Sequence, residues 1–179
     1  LLLDKLLQVD WQMNIICPHA GKKLISDYLS SNKFIKVSGI PKLGCNFYSE
    51  KLSLVSYKFK IATPVFGNVL ILALWQAVMN RHHQILLYGA DFSMFKELYI
   101  NQITNELTSS PPHFYKNTPA QNNVAKKYTK APNKKLHTRL LQAYKGFRQM
   151  HLISLYAKLI GVPIVNKSSF SYLDTFERK

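Results

Sequence analysis

From Val65 to Asn80 the chain runs VFGNVLILALWQAVMN, an almost wholly apolar stretch of helical length, and after the basic turn Arg81-His82-His83 it continues as Gln84-Ile-Leu-Leu-Tyr-Gly-Ala-Asp-Phe92. The second run is short, β-rich and apolar. It ends in Gly89-Ala90-Asp91, as expected of a buried parallel strand that delivers a carboxylate to an open site. Strands covered on both faces by helices read as near-continuous hydrophobic runs, and ligands in open α/β sheets bind outside the carboxyl ends of the strands. Helix, basic turn, strand and acidic tip together make half of a βαβ unit.

The same punctuation recurs along the chain. Leu1 to Gln8 reads as a helical lead-in, and Gln12 to Cys17 as a short strand stopped by Pro18-His19-Ala20-Gly21. Leu24, Ile25, Tyr28 and Leu29 give Lys22 to Ser31 a helical spacing that ends at Ser30-Ser31-Asn32. Phe34 to Ser38 is a second strand, Gly39 to Tyr48 a loop, and Leu52 to Ile61 alternates as an extended segment would. Thr63-Pro64 is expected to open the apolar helix, with Thr63 as its cap. Ser93 to Lys134 is rich in Asn, Thr, Ser, Pro and Lys and lacks apolar periodicity; loops of that length are functional lids or disordered. Lys135 to Leu159 carries a helical stripe from Leu136 to Ala157, Gly161 ends it, and Val162 to Val165 is a last strand. These elements predict one α/β domain over residues 1–179, a Rossmann-like parallel sheet flanked by helices, with a long lid loop at about 93–134.

Two cysteines, Cys17 and Cys45, are too few for a disulfide framework or a closed zinc site, which fits a reduced, cytoplasmic chain with both thiols buried as small apolar groups. The 24 Lys and Arg against 9 Asp and Glu give a net charge of +15, which favours polyanions, anionic membrane surfaces or phosphate-bearing substrates without choosing among them. The longest apolar stretch is short for a bilayer span and carries Asn68 and Gln76, so a buried helix is the expectation. The opening Leu-Leu-Leu-Asp has neither an initiator Met nor a basic region before an apolar stretch; it reads as the start of a fragment rather than as a signal peptide.

There is no G-x-G-x-x-G, P-loop, H-E-x-x-H or C-x-x-C pattern, so dinucleotide, P-loop and zinc chemistry are unsupported. Asp91 has two readings, a catalytic carboxylate or a cap on the next turn. His113, beside two aromatics in the polar segment, reads as a general base or as surface decoration. Tyr99, Tyr115 and Tyr128 could donate hydrogen bonds to phosphate oxygens or simply pack a loop.

Taken in order, Thr63-Pro-Val-Phe-Gly67-Asn68, Tyr88-Gly-Ala-Asp-Phe92, Tyr99, His113-Phe-Tyr115 and Asn166-Lys-Ser-Ser-Phe-Ser171-Tyr-Leu-Asp174-Thr-Phe176 resemble the bacterial lipooligosaccharide sialyltransferases and the related glycosyltransferases of O-antigen and capsule clusters. The resemblance covers roughly the second two thirds of the chain. It implies a domain that takes a CMP-activated sialic-acid-like or Kdo-like sugar to a lipid-linked or lipooligosaccharide acceptor, with no metal or other cofactor. His113 would be the base, and Thr63, Gly67, Asn68, Gly89, Tyr99, Tyr115, Ser169 and Ser171 would hold the donor. Asp91 would act as nucleophile in a retaining, Kdo-transferring variant. Two departures stand out. Ser93 occupies the place of the tyrosine expected after the Asp-Phe pair, and the family's opening strand with its Gly-x-Gly-Pro-Ser loop is missing, which would leave an inactive chain or the C-terminal part of a longer enzyme.

The expected location is the cytoplasm, with peripheral contact at an anionic inner membrane. Homo-oligomerisation stays open. A rival reading from composition is a non-catalytic basic module that binds nucleic acid by phosphate contacts and aromatic stacking, although no recognition motif accompanies the charge.

Overall fold

The computed structural model describes residues 2–40, 44, 47–65, 67–93, 95–96, 98–109 and 135–178. The chain is mixed α/β and divides into two compact units, residues 1–65 and 66–179.

The first unit contains α1 (Leu2–Leu6), β1 (Met13–Pro18), α2 (His19–Tyr28), β2 (Ile35–Ile40) and α3 (Glu50–Lys58). β1 and β2 pair in parallel, from Met13 opposite Ile35 to Pro18 opposite Ile40. Parallel neighbours need a crossover, and α2 supplies it. Helix α2 begins at His19, three residues earlier than its apolar spacing suggested, directly after Pro18. Asn32 fastens the amino end of this unit. Its Nδ2 donates to the carbonyls of Leu6, Leu7 and Val9 at 3.1, 3.1 and 2.8 Å, and its Oδ1 accepts from the Phe34 N–H at 2.9 Å.

Helix α3 corrects the extended segment expected over Leu52 to Ile61. Ser49 caps it by accepting from the Leu52 N–H, Glu50 lies in its first turn and Lys58 in its last, matching both ends of the helix dipole. Its buried side chains are Ser53, Ser56 and Tyr57. Those serines tolerate burial because their hydroxyls bond backwards, Ser53 to the Ser49 carbonyl at 3.1 Å and Ser56 to the Ser53 carbonyl at 2.7 Å. The polar residues face inward, so the apolar alternation gave the wrong period.

The second unit contains α4 (Val69–Met79), β3 (Ile85–Leu87), β4 (Leu98–Ile100), β5 (Leu107–Ser109), α5 (Leu136–Leu159) and β6 (Ile164–Asn166). β3 and β6 pair in parallel, Ile85 with Ile164 through Leu87 with Asn166, and β4 pairs antiparallel with β5. Helix α4 starts later than expected because Asn68 caps it, its Oδ1 accepting from the Ile71 N–H at 2.9 Å. Thr63 is not that cap; it forms an isolated parallel bridge with Gly44. Helices α4 and α5 pack together, with the Trp75 and Tyr156 rings 5.4 Å apart. The core around them holds Ile71, Leu74 and Val78 from α4, Met150, Leu152 and Ile153 from α5, and Leu173.

Three helices close on a left-handed residue. At the end of α5, Gly161 (φ 73°) lets Val162 N–H reach the Ala157 carbonyl at 2.8 Å. At the end of α3 the position is Lys60 (φ 57°), with Ile61 N–H on the Ser56 carbonyl at 2.9 Å, and after α4 it is Arg81 (φ 53°). Of the expected lid, the described part forms the β4–β5 hairpin, whose turn is held by Asn101 Oδ1 accepting from the Ile103 and Thr104 N–H groups at 2.8 and 3.1 Å. Residues 110–134 lie outside the described residues. Among the described residues no helix is long and apolar enough to cross a membrane.

Candidate functional site

Within the second unit, helix α5 returns the chain so that β6 lies beside β3 and the two strands end together. This is where open parallel sheets bind ligands. β6 is buried throughout, and in β3 only Leu86 is exposed, so the sheet pair is fixed by the core while its carboxyl ends lead into loops.

Those two loops are fastened to each other. Lys167 N–H continues the ladder to the Leu87 carbonyl at 2.8 Å. Ser168, buried, accepts from the Ala90 N–H at 2.9 Å, and Ser171 Oγ donates to the Ala90 carbonyl at 2.5 Å while accepting from the Leu173 N–H at 3.1 Å. Tyr172 N–H donates to the Asp91 carbonyl at 2.8 Å. Arg178 closes the outside of the β6 loop, its Nη2 donating to the Ser168 and Ser169 carbonyls at 2.6 and 3.3 Å. Gly89 takes a left-handed φ of 62° at the turn out of β3, a conformation that costs a side-chain-bearing residue about 1–2 kcal/mol. Phe92 accepts the same strain at φ 55°, held by burial of its ring.

Asp91 is exposed at the lip of this edge, and its Oδ2 accepts a hydrogen bond from Ser93 Oγ at 2.6 Å. Behind it lies an aromatic cluster. Phe92 meets Phe147 edge-on at 4.9 Å, Phe95 meets Phe147 at 5.7 Å and Tyr172 at 4.9 Å, and Phe170 meets Tyr172 at 4.9 Å. Lys96 Nζ lies over the Phe170 and Tyr172 rings, 5.4 and 5.1 Å from their centroids. The cluster fits against α5 because position 146 is glycine: a Cβ there would stand 3.2 Å from two Phe92 ring atoms. The edge therefore offers one carboxylate, a lysine held on aromatic faces, and the basic side chains Lys167 and Arg178.

Asn166 ends β6 with its Oδ1 accepting from the Ser168 N–H at 3.0 Å, which shapes the turn. Its buried Nδ2 has no partner among the described residues. A buried donor left without a partner costs about 1–3 kcal/mol.

The residues singled out in the sequence distribute unevenly. Gly89, Asp91, Ser169 and Ser171 come together at the joined carboxyl ends. Ser171 uses its hydroxyl on the backbone, as does Asn68 its side-chain oxygen at the start of α4. Thr63 belongs to the first unit, and Gly67, next to the α4 cap, is exposed. Tyr99 is the central residue of β4. His113 and Tyr115 lie outside the described residues. His19, His82 and His83 are exposed, and Cys17 is buried with its thiol directed at the Ser38 carbonyl at 3.8 Å. Among the described residues no group of three or more His, Cys, Asp and Glu side chains is arranged to hold a metal ion.

Asn166 and Ser168 fall inside a motif quoted from the sequence but receive no role there, and Lys96 is passed over altogether. The Asn-x-Ser spacing directly after a wholly apolar strand was the available signal for the first two. Lys96 had none, because its position depends on two rings from the far end of the chain. A separate open cleft of about 320 Å³, lined by Ser154, Lys158, Gly161, Pro163, Thr175 and Glu177 among others, lies where β6 begins. It is at the opposite end of the strand from Asn166, and parallel-sheet chemistry is not expected there. Comparison with known protein families, with curated proteins and with solved structures finds no match to the chain.

Proposed function

We propose that the chain is a glycosyltransferase domain that moves a sialic-acid-like or Kdo-like sugar from a CMP-activated donor to a surface-glycan acceptor. The observation that carries this reading is the pair of parallel strand ends, β3 and β6, tied through Ser168 and Ser171 to the backbone of Ala90 beside an exposed Asp91 and three basic side chains. Support also comes from the order of the sequence motifs around that edge. In this reading the two strands belong to a Rossmann-like sheet.

The chemistry required is modest in its parts. An acceptor hydroxyl attacks the anomeric carbon, the bond from that carbon to the CMP phosphate oxygen breaks, and the phosphate leaves with the electron pair. A base takes the hydroxyl proton, and fixed donors or cations stabilise the charge growing on phosphate. The basic edge suits the second task, and His113 is assigned the first. A retaining variant would instead use Asp91 as nucleophile, so the anomeric configuration of the product assigns the carboxylate.

Calorimetry of CMP against AMP tests the reading. CMP selectivity is expected, with His113→Ala abolishing transfer but leaving CMP binding nearly intact. Equal or absent binding of the two nucleotides would overturn it, and oligonucleotide binding that collapses as salt rises would replace it with a nucleic-acid-binding role.

A further inference from the structure

Helix α3 turns its apolar side chains outward. Leu52, Val55 and Phe59 are 56%, 49% and 66% exposed and recur at the three- and four-residue spacing of one helix face. Ile61, just beyond the helix, is 65% exposed. This orientation is fixed by the other face, since rolling the helix to hide the stripe would expose Tyr57, which is fully buried. The inward serines are already satisfied by α3's own carbonyls, so nothing in the helix favours the reverse orientation. Lys51 and Lys58 line one side of the stripe and Lys60 follows it, all three exposed, with Glu50 the single acidic residue of the segment 47–65.

We propose that this face of α3 docks on the surface of an anionic lipid bilayer, with Leu52, Val55, Phe59 and Ile61 entering the acyl boundary and the three lysines meeting lipid phosphates. An interfacial helix combines an apolar stripe with flanking Lys or Arg, whose long stems let the ammonium groups stay at headgroup level. The charges select this occupant over a second copy of the chain: a two-fold contact through the stripe would bring the lysines of one copy, Lys51, Lys58 and Lys60, close to those of the other. The stripe is also small beside the roughly 20–30 residues a side of a stable protein interface. This goes beyond the glycosyltransferase reading and does not depend on it, because vesicle binding is measured without any sugar nucleotide.

The test is sedimentation of the full chain with vesicles of phosphatidylcholine alone and with about one quarter phosphatidylglycerol. Partitioning onto the anionic vesicles is expected to be at least about tenfold stronger. Replacing the lysines together (Lys51→Ser, Lys58→Ser, Lys60→Ser) should lose on the order of a hundredfold. The pair Leu52→Ser and Phe59→Ser should lose about tenfold or more on the same vesicles, with the circular dichroism unchanged because every altered residue is exposed. A Val55→Trp variant should shift its emission to the blue only with anionic lipid. The proposal is overturned if wild type ignores anionic vesicles, or if the Leu52/Phe59 variant binds them as well as wild type. It is equally overturned if wild type self-associates without lipid and that variant is monomeric, which would make the stripe a contact between copies.

Discussion

The two parallel strand pairs are fastened at opposite ends. Both pairs have a backbone bond at their entry, Met13 N–H to the Phe34 carbonyl and Ile85 N–H to the Pro163 carbonyl, each at 2.9 Å, but in the first unit the side-chain ties also cluster there, where Asn32 gathers three carbonyls from the residues leading into β1. In the second unit they cluster where the strands finish, through Ser168 and Ser171, with the Tyr172 N–H beside them. Burial follows the same division. Most of β1 and β2 is half-buried or exposed, whereas β6 is wholly buried. A pair fastened at its entry is held together; a pair fastened at its exit has its loops organised before any ligand arrives. Under the proposed function the second unit carries the prepared edge, since open parallel sheets bind ligands at the carboxyl ends of their strands.

Depth of burial gives the largest contrast. Ile164→Ala in the second unit should cost about 2–5 kcal/mol, while Ile15→Ala in β1 should cost well under that, as read from denaturant midpoints. Equal losses would mean the two sheets are comparably covered. Next come the ties themselves. Asn32→Ala should cost about 1–3 kcal/mol and leave nucleotide binding untouched. Ser168→Ala strands the Ala90 N–H, should cost about 1–3 kcal/mol, and should weaken CMP binding severalfold. If both variants weakened binding alike, the assignment of the prepared edge to the second unit would fail.

Packing at α5 is the next step down. Gly146→Leu drives a side chain into the Phe92 ring and should cost about 1–3 kcal/mol, together with a change in the near-ultraviolet signal of the aromatic cluster. The smallest effects belong to the helix ends. Gly161→Ala should lose about 1 kcal/mol, and Arg81→Gly should gain up to about 1 kcal/mol, because left-handed backbone is costly for all but glycine.

Much of this architecture was legible where one period dominated. The stripe from Leu136 to Ala157 and the strand-turn-helix punctuation around Pro18 lead directly to α5, β1 and α2. Helix α3 was lost because its buried face is polar, a pattern that only the backward hydrogen bonds of Ser53 and Ser56 make tolerable. The hairpin was lost because its strands are three residues each and its turn rests on one Asn101 side chain. At the site, Asp91 and Ser171 stand out as residues near a strand end; the Asn-x-Ser spacing marks Ser168 as a turn residue, but not that its partner is Ala90, 78 residues away.

The meeting of Gly146 with Phe92 reaches beyond this chain. A Cβ at 146 would sit 3.2 Å from the ring of a side chain whose backbone is already in the left-handed region. In related sequences, positions 92 and 146 should change in concert, a smaller side chain at the first accompanying any enlargement at the second. A pairing of that kind between such distant positions would trace the fold of the second unit in sequence data alone.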